Sequence, residues 1–304
     1  MTSSAAIVGR VVGILGPRIQ IAADDLIFDA TVRGKVKYGN LGISPIAVGD
    51  YVEFAVKTKT QATVEKILER KACISRPAVE KEGLLQVIVA NIDRIVIVTS
   101  IVDPPFKPGL IDRYLVIAFR EEIHPVVVIN KIDLADPSPI DIYIDAWQKI
   151  GCDVLCTSAI DGRGIADLSR LLEKGTSVIT GHSGVGKSSI LNYMNPNLNL
   201  KTARLSAYSK RGVHTTSRVT LFRFFPCGWV ADTPGLKDLG LAAITKRTLH
   251  RFFPEFGDFE ADCQFDNCIH IAEPNCAIKK AVDKGEIASF RYRDYLKIYE
   301  SLRS

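Results

Sequence analysis

Gly181-His182-Ser183-Gly184-Val185-Gly186-Lys187-Ser188 runs from an expected strand, Ser177–Thr180, into Ser188–Met194, whose spacing predicts a helix. Strand, glycine-rich loop and helix in that order are the setting in which backbone amides and a helix N-terminus cradle phosphate oxygens. Gly181, Gly184 and Gly186 let those amides turn inward, with Ser183, Val185 and Ser189 as the remaining loop contacts. Lys187 supplies a cation for the β and γ phosphates, and the Ser188 hydroxyl a ligand for magnesium. The stretch reads as a nucleoside triphosphate site.

Upstream, Arg94–Thr99 and Pro125–Asn130 are β-branched apolar runs of the kind buried on both faces of a parallel sheet. Ile111–Arg120 between them has helical spacing. A helix over Tyr143–Ile150, a strand over Asp153–Thr157 and a helix over Ile165–Leu172 continue the alternation toward the glycine-rich loop. The class is α/β, with residues 71–238 expected to form the nucleotide domain.

Two strand ends carry base-reading chemistry. Asn130-Lys131-Ile132-Asp133 closes one strand: Asp133 accepts from the guanine N1 and N2 groups, Asn130 bridges to neighbouring loops, and the Lys131 stem packs on the ring. Thr157-Ser158-Ala159 closes another and offers a backbone amide to guanine O6, through Ser158 and Ala159. Downstream, Asp232-Thr233-Pro234-Gly235 places Asp232 in the magnesium shell and the Gly235 amide at the γ-phosphate. Gly212-Val213-His214-Thr215-Thr216 lies before it, and Thr216 is favoured over Thr215 as the switch threonine on magnesium. Leu236 stands where many GTPases carry a glutamine, so His214 becomes the candidate for orienting water, against the plainer reading of an exposed histidine. The usual order starts with the phosphate loop, whereas here Asn-Lys-x-Asp comes first. Joining the ends of the usual chain and cutting after Asp-x-x-Gly gives this order, so the domain reads as circularly permuted.

Residues 1–70 read as short strands, Ile7–Ile14, Ile19–Ala22, Leu26–Val32, Tyr51–Val56 and Ala62–Leu68, at the spacing of a small barrel of the oligonucleotide-binding type. Arg33, Lys35, Lys37, Lys57 and Lys59 are candidates for a phosphate-facing surface or simply a solvated one. Residues 239–304 lose the strand signal. Leu241–Phe253 is expected to be helical, Pro254–Cys276 irregular, and Ala277–Leu302 helical in segments. Within the irregular part, Cys263-x4-Cys268-x-His270-x5-Cys276 supplies three thiolates and an imidazole, the set for a closed tetrahedral structural zinc. Cys73, Cys152, Cys156 and Cys227 read as buried thiols.

Composition limits the remainder. The 304 residues carry a net charge of +5 with 47% hydrophobic side chains, and no region is strongly basic, so charge alone does not assign nucleic-acid binding. Seven cysteines in a long chain do not form a disulfide framework. No secretory signal is visible, and no run approaches the ~18 apolar residues of a membrane span. A soluble protein of the bacterial cytoplasm is expected, or of an organelle interior after removal of a targeting segment.

Barrel, permuted GTPase domain and Cys/His module, in that order, resemble the YjeQ/YloQ (RsgA) family along essentially the full chain. The resemblance rests on Asn130–Asp133, Gly181–Ser189, Gly212–Thr216, Asp232–Gly235 and the zinc quartet. It implies binding of GTP or GDP with magnesium, one structural zinc, and His214, Lys187 and Thr216 in hydrolysis. It also implies a monomer that contacts the small ribosomal subunit and its rRNA, not a membrane, late in subunit assembly. A basic residue usually precedes the histidine in this family; here Val213 does. An RNA-binding scaffold gated by GTP occupancy, with incidental hydrolysis, is the alternative from another class.

Overall fold

Alternating apolar residues close the N-terminal strands into a barrel. The strands are β1 (Ile7–Leu15), β2 (Arg18–Ala23), β3 (Leu26–Val32), β4 (Tyr51–Val56) and β5 (Gln61–Ile67). Val11, Ile21, Phe28, Val52, Phe54 and Val64 fill the interior, with the Phe28 and Phe54 rings 5.3 Å apart. Neighbours run β1-β2-β3-β5-β4, and β4 pairs back onto β1, so the described barrel strands close on themselves. The computed structural model describes residues 7–32, 46–77, 85–196, 219–232, 241 and 244–302.

A hairpin of β6 (Cys73–Pro77) and β7 (Leu85–Ala90) follows, where no strands were expected. A register shift between Ile74 and Ser75 breaks its alternation and hides the period of two.

The second half of the sheet holds β8 (Arg94–Ser100), β9 (His124–Asn130), β10 (Asp153–Thr157), β11 (Lys174–Thr180), β12 (Thr220–Arg223) and β13 (Cys227–Asp232). Their spatial order is β10-β9-β8-β11-β13-β12, parallel except for β12. Helices α1 (Pro108–Arg120), α2 (Asp141–Lys149), α3 (Ile165–Leu172) and α4 (Lys187–Met194) cover it. Ile95, Ile97, Val127 and Ile129 point to the face packed by α1, whereas Val96, Val98, Val126 and Val128 point to the face packed by α3 and α4. Burial on both faces explains why β8 and β9 are continuous apolar runs.

Beyond the sheet, the expected helix over Leu241–Phe253 is replaced, among the described residues, by a 3₁₀ turn at Leu249–Phe252. The Thr245 amide donates to the Thr248 hydroxyl at 3.0 Å, a local bond that competes with helical pairing, and Pro254 starts a separate turn. Helices α5 (Ala277–Asp283) and α6 (Ser289–Ser301) end the chain. Cys227 departs from the buried-thiol reading: it is exposed at the start of β13, while Cys152 is buried.

Helix α6 is fastened to α1 by buried charge. Arg291, 1% exposed, lies 2.7 Å from Asp112 Oδ1 and donates to Glu255 at 2.6 and 3.2 Å, with its guanidinium 4.7 Å from the Phe253 ring centre. Trp147 Nε1 donates to the same Asp112 oxygen at 2.8 Å. Burial pushes the Asp112 carboxyl up to about 6, against the pull of Arg291. The folded chain therefore holds this proton more tightly than the unfolded chain, where an aspartate titrates near about 4. The stability this group contributes is full below about pH 4 and is lost as pH rises through about 6. Asp112→Asn lacks the titration. Its melting temperature relative to wild type is expected to climb between about pH 4.5 and about pH 7.5, by the equivalent of up to about 3 kcal/mol. Calorimetry of both proteins across that range checks this, and a gap that narrows with rising pH contradicts it.

Candidate nucleotide site and metal centre

Parallel pairing sends the ends of β9, β10, β11 and β13 to one edge of the sheet, with Thr157 beside Asn130 and Asp232 beside Ile179 in register. Ligands of open α/β sheets bind at this edge, where helices depart to opposite faces. Here the loop after β8 leads to α1 on one face and the glycine-rich loop after β11 leads to α4 on the other.

The loop itself is held by close approaches. Gly181 has φ +138°, and a Cβ there would lie 2.0 Å from the Val98 carbonyl oxygen. Gly186 has φ +99°, and its Cβ would lie 2.2 Å from Asn130 Nδ2. Helix α4 begins at Lys187 with no side-chain cap and no acidic residue in its first turn, so its opening amides remain for an anion. The Lys187 ammonium donates to the carbonyls of Gly181 (2.8 Å) and His182 (2.7 Å), and Ser188 beside it is buried. A cradle of inward amides with one cation fits a phosphate chain.

Asn130 is the hub. Its Nδ2 donates to the Val185 carbonyl at 2.9 Å, while its Oδ1 accepts from the Thr157 hydroxyl at 3.1 Å, joining the ends of β9 and β10 to the phosphate loop. Ser158 Oγ donates to Asp133 Oδ1 at 2.7 Å and accepts from the amides of Ile160 and Asp161, which fixes the carboxylate beside Ala159. Lys131, at φ +66°, donates from Nζ to the Asp103 carbonyl at 2.5 Å, so its stem is held between two loops. The structure thus brings together Asn130, Lys131, Asp133, Ser158, Ala159 and the loop Gly181–Ser189. Asp232 is placed by its backbone at the end of β13. His214, Thr215, Thr216 and Gly235 lie outside the described residues. The Thr157 hydroxyl and the Asp103 carbonyl escaped the sequence reading, since neither an ordinary strand threonine nor a backbone oxygen carries a sequence signal.

The Cys/His quartet converges as well. One ligand atom each from Cys263, Cys268, His270 and Cys276 lies within 4.8 Å of the others, with His270 Nδ1 3.6 Å from Cys263 Sγ and 3.4 Å from Cys276 Sγ. A tetrahedron with bonds of about 2.0–2.3 Å separates its ligand atoms by roughly 3.3–3.8 Å, so the donor set fits zinc. Burial pushes the Cys268 thiol up to about 12, so a thiolate at this position requires a neighbouring cation. The loop is braced from outside: Glu273 accepts from the amides of Ile269 and Ile271, and Tyr295 and Tyr292 donate to the carbonyls of Ile269 and His270.

The family model described as RsgA GTPase matches residues 67–242. The chain belongs to the RsgA GTPase family. It is accordingly a GTP-hydrolysing enzyme with a circularly permuted nucleotide domain. It is 40% identical over 283 residues to the small ribosomal subunit biogenesis GTPase RsgA of Chlorobaculum tepidum, covering 90% of each chain. The crystal structure of YjeQ from Thermotoga maritima matches with a TM-score of 0.79 at 32% identity, covering 97% of this chain and 98% of that one. YloQ, described as a circularly permuted GTPase, matches with a TM-score of 0.76 at 28% identity over 98% of this chain and 95% of its own.

Gly186→Ala tests the loop geometry. Left-handed backbone costs an L-residue about 1 kcal/mol, and displacing Asn130 from Val185 strands buried polar groups at about 1–3 kcal/mol more. Titration calorimetry should show GTP and GDP binding weakened roughly 30- to 1000-fold, the equivalent of those energies. Affinity within threefold of wild type would show that the loop tolerates a Cβ there.

Proposed function

We propose that this chain acts on the small ribosomal subunit late in its assembly, that the subunit stimulates its GTP hydrolysis, and that hydrolysis releases it. The supporting observation is the convergence of Asn130, Asp133, Ser158 and the loop Gly181–Ser189 on one sheet edge, in a chain that aligns nearly end to end with a relative of that name.

Within this reading Asp133, braced by Ser158, accepts from guanine, and adenine lacks the matching donors. Amides of Ser158 and Ala159 meet the guanine oxygen. Lys187 and the loop amides hold the phosphates, and Ser188, Thr216 and Asp232 would hold magnesium, which would supply positive charge for the β and γ phosphates. The Gly235 amide senses the γ-phosphate. His214 orients the attacking water in place of the glutamine absent at Leu236 when the subunit is bound. Cys263, Cys268, His270 and Cys276 hold one structural zinc. The barrel, with Lys57 and Lys59 exposed, is the proposed rRNA contact, and the protein works as a cytoplasmic monomer. Among the described residues no helix is long and apolar enough to cross a membrane.

Phosphate release measured with and without purified small subunits tests this. Turnover alone should be slow and should rise by at least about two orders of magnitude with subunits, the scale of a positioned acid–base group. His214→Ala should retain GTP and subunit binding, lose the stimulation and stay bound. Unchanged turnover on adding subunits, or normal release of the variant, contradicts the proposal.

A further inference from the structure

The metal reading makes a demand on the far side of His270. An imidazole that gives its Nδ1 lone pair to a cation carries its proton on Nε2, and that N–H needs an acceptor. His270 is 1% exposed, its Nδ1 faces two thiols, and its Nε2 is buried without a hydrogen-bond partner. Glu260 Oε1 stands 3.7 Å from that nitrogen. The carboxylate opens the 3₁₀ turn Glu260–Asp262, directly before Cys263, and its side chain is 35% exposed, so it has room to close the gap.

His250 faces the same oxygen, at 3.8 Å from its Nε2, with its ring 5.5 Å from that of His270 and nearly perpendicular to it. One carboxylate therefore stands between two imidazoles, only one of which faces the thiols. His270 sits at φ +62° and its carbonyl accepts from the Tyr292 hydroxyl at 2.7 Å, which braces the backbone that carries the ring.

We propose that Glu260 is a positioning residue of the metal centre, accepting a hydrogen bond from the His270 Nε2–H and thereby committing Nδ1 to the metal. This rests on the zinc reading above. Loss of such an outer carboxylate weakens metal binding about 10- to 100-fold. The amide oxygen of Glu260→Gln can still accept, whereas Glu260→Ala cannot.

The experiment uses the zinc-loaded full chain. Metal content is measured first, then zinc transfer to a chromophoric chelator for wild type, Glu260→Gln and Glu260→Ala, with ¹⁵N chemical shifts of the His270 ring reporting which nitrogen is protonated. One zinc per chain, affinity lowered 10- to 100-fold in Glu260→Ala and substantially rescued in Glu260→Gln, and an Nε2 proton signal altered in the alanine variant alone are expected. If wild type holds no zinc, the metal reading falls and takes this inference with it. If wild type holds one zinc and Glu260→Ala matches it within twofold with an unchanged ring signal, the positioning role is overturned while the metal reading stands.

Discussion

A parallel strand delivers its C-terminal end to the same edge of the sheet wherever it falls in the chain. That constraint makes the permuted order workable: β9 and β10 come before β11 in sequence, and in space they stand beside one another with β8 between β9 and β11. The two hydrogen bonds of the Asn130 carboxamide then join three strand ends that the cut has reordered. Because each bond is buried, breaking one leaves a desolvated group unpaired, so the base-reading and phosphate-reading loops are coupled in stability.

Permutation also changes where the chain goes after Asp232. From the end of β13 it passes on to the C-terminal segment, whose attachment is to α1, on the face opposite α4. The attachment concentrates charge in the interior, Arg291 between Asp112 and Glu255. Such a pairing is costly to desolvate and adds little net stability compared with apolar packing, but either partner alone is worse. It therefore restricts how α6 can dock on α1: a shifted helix would strand Arg291.

Much of this was legible in the sequence because the period survives. β8 and β9 are buried on both faces, so their apolar runs are continuous, and the phosphate loop follows its strand within a residue. The zinc quartet was visible because four ligands within a short span leave few other uses. The β6–β7 hairpin was not, since a bulge interrupts its alternation, and neither was the turn at Leu249–Phe252, where threonine side chains capture the backbone. The role of Asn130 as a hub was half visible: its type and position indicated a bridge, but the partners at Val185 and Thr157 lie 55 and 27 residues away and required the fold.

Among the described residues the barrel meets the nucleotide domain through several contacts, including a bridge between Val48 and Val89, an ion pair between Asp25 and Arg223 at 2.8 Å, and two at opposite ends of the strands. At the N-terminal ends of the strands Arg10 is buried, donating to Thr176 Oγ1 at 2.6 Å and the Asn91 carbonyl at 3.1 Å, with its guanidinium near the Tyr51 and Trp229 rings. At the other end the described backbone pairing is one register pair, Gly13 of β1 with Thr220 of β12, flanked by Val12 and Leu221 in a shared apolar cluster, and Thr220 stands in turn opposite Asp232. A single bridge contributes about 1 kcal/mol net, far less than the cost of stranding a buried arginine. The same two strands, β12 and β13, therefore meet the buried Arg10 and the Asp25 carboxylate at the end away from the nucleotide edge, through Trp229 and Arg223, and carry a single backbone bridge to the barrel at the end beside Asp232.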